Sequence, residues 1–318
     1  MFFVPGSTSV IPGLTGNLSD YPEGIVLPID KPYRWTSADV IRKLKWRAIR
    51  HFGKKNLKVG HAGTLDPLAT GVLLVCIGDA CKRAQELQDH DKEYIARIRF
   101  GATTPSYDLE KDVDRRFPFE HITADAVRAA LPAFLGKQEQ VAPLFSAKSV
   151  DGVRAYELAR KLYRSGRLSE LDAAALDTLQ RNKIVISELE LLGFEAAETL
   201  SPESVTTLGP VRGRGPQPVL VEHGAWEGSR SDDSGERVST ASSRINVADT
   251  SALGLPEAVI RIVCSKGTYI RAFARDLGEA LGSGAHLSGL IRSRSGFFRV
   301  EDALSLDQAL NLFRSESL

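Results

Sequence analysis

Asp66 is the residue of this 318-residue chain whose setting invites chemistry, because it lies in "HAGTLDPLATG" (61–71), among glycines, small residues and a proline. Gly60, Gly63, Gly71 and Pro67 describe a constrained loop that leads into an apolar run and holds the acid at its turn, five positions after His61. Two readings fit. Asp before Pro is a common turn pair, since the carboxylate accepts hydrogen bonds from nearby backbone N–H groups. A carboxylate on a rigid loop can equally act as nucleophile or base in covalent glycosyl chemistry. Spacing alone leaves both open.

Three further stretches carry residues that could serve such an acid. "CSKGTYIRAFARDLG" (264–278) packs Lys266, Tyr269, Arg271 and Arg275 around a strand-to-helix turn. Arg275 has an ordinary partner one turn on in Glu279, whereas Arg271 gains interest if it meets an acid. "DKPYRWTS" (30–37) sets Lys31 before a proline, where a solvated surface lysine is the default. "DHDKEYIARIRFG" (89–101) contains Tyr94, by default a core tyrosine with its hydroxyl at an edge.

The elements that must position these residues follow from periodicity. "GIVLPIDKP" reads as a short buried strand ended by Pro32, and "TSADVIRKLKWRAIR" as a basic helix capped by Thr36, with Val40, Ile41 and Leu44 at helical spacing. "GVLLVCIG" is a buried strand. In "EYIARIRFG", Tyr94, Ala96, Ile98 and Phe100 share one face and Arg97 and Arg99 the other. Thr123 caps a helix that Gly136 ends, 154–166 is a second amphipathic helix, and 182–194 and 257–265 are strands. A helix spans 268–282, and Ser305 with Gln308 opens a last short one with a capping box. Strands and helices do not alternate strictly, which favours α+β over a doubly wound sheet.

Composition sets the outer limits. At 42% hydrophobic and 25% charged residues, the chain can bury a sizeable core. No apolar run approaches the roughly 20 residues of a membrane span, and the start lacks the basic and apolar regions of a signal peptide. Three cysteines, Cys76, Cys81 and Cys264, cannot all pair and have no zinc-site spacing. The expectation is a cytoplasmic protein with no metal. Residues 195–257 carry ten acids against five arginines, a net −5 that leaves +6 for the rest; a basic body with one acidic stretch can bind a polyanion, and a mixed solvated surface gives the same count. The stretch 195–256 lacks sustained period and reads as a long surface insertion, partly disordered, behind which 1–24 forms an N-terminal leader.

"GHAGTLDPLATGVL", "IDKP", "DKEYIARIRFG", "APLFSAKSVDGVRAYELAR" and "CSKGTYIRAFARDLG", in this order, resemble the TruB family of tRNA pseudouridine synthases, which act on the T-loop uridine at tRNA position 55. The likeness spans about residues 25–194 and 257–300. It implies a pseudouridine-synthase fold, with a mixed, mostly antiparallel sheet flanked by helices, in one catalytic domain over 25–318. Asp66 matches the family's essential aspartate, and by the same resemblance Arg271 pairs with it and Tyr94 stacks on the flipped uracil. Tyr269 then lines the pocket, His61 enters the space the base vacates, and Lys31 supports the active-site strand or contacts RNA.

The resemblance implies no cofactor, a tRNA T stem-loop as partner, no obligatory protein partner and a monomer. Basic side chains of helix 36–50, with Arg97 and Arg99, are the expected phosphate contacts. A C-terminal PUA domain, common in bacterial members, is expected to be missing. The alternative from another class is a non-catalytic RNA-binding or tRNA-folding protein on the same scaffold; a glycosidase is a third reading.

Overall fold

The computed structural model describes residues 13–143, 149–150, 153–154, 181–197, 245 and 247–313. Strands β1 (Ile25–Lys31), β2 (Val59–Ala62), β3 (Ala69–Ile77) and β4 (Lys92–Phe100) come first, with helix α1 (Ser37–Phe52) before β2 and α2 (Ala84–Asp89) before β4. β5 (Ala102–Thr103), β6 (Arg115–Arg116), α3 (Ala124–Ala130), β7 (Gly136–Val141), β8 (Ser149–Val150), β9 (Val153–Arg154) and β10 (Arg181–Glu195) follow. The remainder is β11 (Glu257–Cys264), α4 (Ile270–Ala280), β12 (Ala285–Ser295), β13 (Phe298–Arg299) and α5 (Leu306–Asn311).

A nine-stranded sheet organises them in the order β1-β3-β12-β4-β11-β10-β7, with β2 also on β3 and β13 also on β12. β3 and β12 run parallel; the other pairings in this sheet are antiparallel. The architecture is therefore α+β with a mixed, mostly antiparallel sheet. Both faces of β3 are covered: Leu73, Val75 and Ile77 enter the main core, while Val72, Leu74 and Cys76 enter a second cluster with Leu87 of α2. That double burial is why its sequence is an unbroken apolar run rather than an alternation. β4 shows the other pattern, with Tyr94, Ala96, Ile98 and Phe100 buried on one face.

α1 begins as expected, with the Thr36 hydroxyl accepting from Asp39 N–H at 3.0 Å and the Thr36 N–H donating to the Asp39 carboxylate at 3.2 Å. This reciprocal cap contributes about 1 kcal/mol. Val40, Leu44 and Ala48 press into the core, and Gly53 ends the helix at φ +60°. The Ser305–Gln308 capping box opens α5. α3 is shorter than its pattern implies. Pro132 has no N–H to continue the ladder, and the chain passes into a 3-10 turn at Leu131–Phe134. The expected helix 154–166 lies outside the described residues except for Arg154, which belongs to β9.

Two segments outside the expected strands and helices make contacts with the body. In the expected leader, Leu14 is 5% exposed and its N–H donates to Leu312 O at 2.9 Å, just after α5. The last part of the expected insertion also makes contacts. Ile245 and Ala248 are buried, Arg34 Nη2 donates to Ile245 O at 2.7 Å, and Ala248 N–H donates to Leu109 O at 2.8 Å. Backbone hydrogen bonds from distant residues hold this stretch, and they leave no hydrophobic period to read. Residues 198–244, including the apolar "VLVEHGAW", lie outside the described residues.

Candidate active site

The Asp66 loop joins β2 to β3 and is held by side chains from three other elements. Lys31, fully buried at the end of β1, points its ammonium at three carbonyls, Pro32 O (2.9 Å), Trp35 O (2.6 Å) and Pro67 O (3.2 Å). Ser37, the first residue of α1, accepts from Leu65 N–H and donates to Leu65 O, both at 3.0 Å. Arg292 of β12, 1% exposed, donates to Val72 O (2.7 Å) and Gly63 O (3.1 Å). Gly71 allows the close approach: at φ +94°, a Cβ there would sit 2.3 Å from Arg292 O. Asp66 is thus clamped on both flanks.

Its carboxylate meets Arg271 from the first turn of α4 in a two-point fork. Arg271 Nε donates to Asp66 Oδ2 at 2.9 Å and Nη2 to Oδ1 at 3.1 Å, while Nη1 donates to Ser106 O at 3.2 Å. Asp108 adds a second acid, 3.7 Å from Arg271 Nε. Exposure separates the three groups: the Arg271 side chain is 6% exposed and Asp108 8%, but Asp66 is 36% exposed. Burial works against the Arg271 charge, yet Asp66 and Asp108 together outweigh it and push its pKa up. Burial pushes the Asp108 carboxyl up to about 6, opposed by Arg271 and by hydrogen bonds from Ser106 Oγ (2.6 Å) and Glu110 N–H (2.9 Å). Asp66, Asp108, Arg271, Leu68 and Leu290 border a cleft enclosing about 290 Å3, partly open to solvent. The arrangement presents one oriented, solvent-reachable carboxylate over a neutralising guanidinium.

The remaining expected residues lie around this pair rather than in the cleft wall. Tyr94 of β4 is 9% exposed and faces Arg292 in register; burial raises its hydroxyl pKa against the pull of that guanidinium. Tyr269 is the N-cap residue of α4, and the Gln140 side chain clamps its backbone, accepting from Tyr269 N–H at 2.8 Å and donating to Tyr269 O at 3.1 Å. His61 lies on β2 opposite Val75, and burial, then Arg292, lowers its pKa. Lys31 has no exposed surface and its ammonium is taken by those three carbonyls; burial lowers its pKa to about 7.

Two arginine expectations are corrected. Arg275 pairs with Asp276 at 2.7 Å instead of Glu279 and lies over the Tyr107 ring at 5.5 Å. Arg97 and Arg99 are not free for phosphates. Arg97 Nε donates to Glu257 at 2.6 Å, and Arg99 reaches Glu257 at 2.9 Å and Thr250 Oγ1 at 2.7 Å.

The chain is similar to known proteins over most of its length. Residues 50–200 match the TruB family pseudouridylate synthase (N terminal domain). A tRNA pseudouridine synthase B of Phocaeicola vulgatus is 44% identical over 91% of this chain and 92% of its own length. The chain belongs to the TruB family. A tRNA pseudouridine synthase B of Thermus thermophilus is 38% identical over 87% of the chain and 75% of the relative. A chain in the crystal structure of a Cbf5-Nop10-Gar1 complex shares the fold, with TM-score 0.50 and 21% identity over 91% of this chain and 54% of that longer one.

Within this TruB-family site, four contributors escaped the sequence reading: Ser37, Ser106, Asp108 and Arg292. Asp108 lies in "SYDLE" and Arg292 in "LIRSRSG", neither of which has a distinctive pattern. Their roles come from contacts across more than 160 positions, such as Arg271 to Ser106 and Arg292 to Gly63. Ser37 was legible only as helix-start polarity. No described helix is long and apolar enough to cross a membrane.

Proposed function

We propose that this protein isomerises the T-loop uridine of tRNA, at position 55, to pseudouridine. The observation that carries the reading is Asp66, oriented by two hydrogen bonds from a buried arginine and still 36% exposed to a cleft. The reaction breaks the N1–C1′ bond, turns the uracil and rejoins it through C5, with no redox change and no net hydrolysis. A carboxylate suits it, because it can attack C1′ or take the C2′ proton and then leave again. Arg271 holds that carboxylate aimed through two charge-assisted hydrogen bonds. Glycoside hydrolases generally use two carboxylates flanking the bond; here the second acid, Asp108, is 8% exposed and sits 3.7 Å from Arg271 Nε, on the same guanidinium as Asp66.

The uridine must leave its stack, at about a few kcal/mol. In this reading Tyr94 offsets that cost by stacking on the flipped base, Tyr269 borders its pocket, and His61 enters the space the base leaves. Support comes from Arg292, which faces Tyr94 in register and holds the Asp66 loop with its other nitrogens, so the ring and the acid share one support. A purely RNA-binding role would have no use for a carboxylate both clamped and open. The test is incubation of purified protein with unmodified tRNA, followed by nucleoside chromatography. Stoichiometric loss of one uridine and gain of one pseudouridine is expected; release of free uracil or of a cleaved sugar would overturn the reading.

A further inference from the structure

Between Ser37 and Leu65 the chain carries eight lysines and arginines and a single acid, Asp39. Asp39 is taken by Arg42, at 2.6 Å, and by the α1 cap. The exposed side chains of Lys45, Arg47 and Arg50 on α1, and of Lys54, Lys55 and Lys58 after it, form no ion pair within 4.0 Å among the described residues. Elsewhere on the sheet several arginines are matched: Arg97 and Arg99 by Glu257, and Arg261 by Glu93, Glu188 and Glu190. An unmatched cluster repels itself. Its charges lower the free energy of the protein only when a polyanion sits against them.

Two further observations give this surface a shape. Trp46, 41% exposed on the outward face of α1, has the guanidinium groups of Arg50 and Arg47 at 4.7 and 5.2 Å from its ring centre. Stacking on the indole holds both cations in place without neutralising them. Beside it, Lys45, Lys55, Asn56 and Lys58 border an open groove enclosing about 790 Å3. The patch is also tied to the site at both ends. Ser37 at the start of α1 bonds Leu65, next to Asp66, and the segment after Lys58 returns through β2 to Gly63 of the same loop. From that anchor the 16-residue helix runs about 24 Å, with its basic side chains spread along it.

We propose that the outer face of α1 and the 53–58 loop dock the sugar–phosphate backbone of an RNA stem adjoining the loop that presents the target uridine. The proposal rests on the pseudouridine synthase reading for the identity of the polyanion and extends it by fixing where the RNA outside the target loop runs. Contacts of this kind position the substrate and carry no sequence information, so specificity stays with the cleft. Binding then depends on salt through this face, because each neutralised phosphate releases counterions.

Two triple variants test it, Lys45→Gln/Arg47→Gln/Arg50→Gln and Lys54→Gln/Lys55→Gln/Lys58→Gln, with Arg128→Gln, an exposed arginine already paired with Asp125, as control. All substitutions are at exposed positions, and circular dichroism verifies the fold. Binding of unmodified tRNA is titrated between about 50 and 200 mM salt. Each triple variant is expected to lose about tenfold in affinity at the lower salt and to flatten the slope of log K against log salt by about 2, from 0.7 to 0.9 per lost phosphate contact. KM rises by the same factor and kcat is held. The control keeps the wild-type slope. Unchanged affinity and slope in both triple variants overturn the proposal, as does retained tRNA affinity with lost binding to phosphatidylserine vesicles. Wild-type protein that binds tRNA through this face yet converts no uridine refutes the reading of the site and leaves the docking surface standing.

Discussion

Two carboxylate–arginine clusters sit on the same sheet with opposite exposure. In the cleft the cation is buried and the acid is open: Arg271 is 6% exposed and Asp66 36%. At the junction of β4, β11 and β12 the acid is buried and the cations are half-buried, with Glu257 at 2%, Arg97 at 29% and Arg99 at 14%. Glu257 accepts from Arg97 and Arg99 and from Ser288 Oγ at 2.5 Å, so its lone pairs are consumed by the protein. Asp66 receives two bonds from Arg271 along one edge and is otherwise open to the cleft. An acid–arginine pair is therefore not by itself a sign of chemistry. What differs between these two pairs is the oxygen surface left over, which the protein uses up at Glu257 and leaves accessible at Asp66.

Substitutions in both clusters should break along that line. Asp66→Asn keeps size and shape but removes the reactive carboxylate, so turnover should fall at least a thousandfold, about 4 kcal/mol on the barrier, with tRNA affinity and melting temperature near wild type. A variant keeping more than about a tenth of the rate would remove Asp66 from the chemistry.

Glu257→Gln should do the reverse. It strips charge from a buried acid between two arginines and should cost about 3 kcal/mol in denaturant unfolding, while kcat on saturating tRNA, measured well below the transition, stays close to wild type. A large fall in kcat with intact stability would erase the distinction between the clusters.

Arg271→Lys preserves the charge and loses the planar fork, so single-turnover rate should fall about a hundredfold, roughly 2.7 kcal/mol, with little effect on binding. Should affinity collapse and the single-turnover rate survive, Arg271 would be a phosphate contact.

The smallest effect is expected from Asp108, whose folded pKa of about 6 lies above the ordinary 3.8. A raised acid pKa means that folding favours the protonated form. Its contribution to stability is full below about pH 4 and is lost as pH rises through 6, on the order of 2 kcal/mol. Comparing wild type with Asp108→Asn across pH 4–7 should reveal this slope in the wild type alone; parallel profiles would mean that Asp108 titrates normally.

The sequence by itself determined the parts of this protein governed by neighbours a few residues apart. The Thr36 cap, the helical period of α1, the alternation of β4 and the two-sided apolar run of β3 all emerge as written, because caps and periodic burial are set within one or two turns. The ordered islands around Asp66, Tyr94 and Arg271 likewise pointed to the family. Tertiary structure alone decided how each charge is used. Lys31 looked like a surface lysine and is a fully buried strut. Arg97 and Arg99 looked like phosphate contacts and are spent on Glu257, some 160 positions away. Asp108 had no signal until α4 brought Arg271 beside it. A charge acquires its role from the partner it meets and the water it keeps, and in this chain the fold supplies both across 160 to 205 residues.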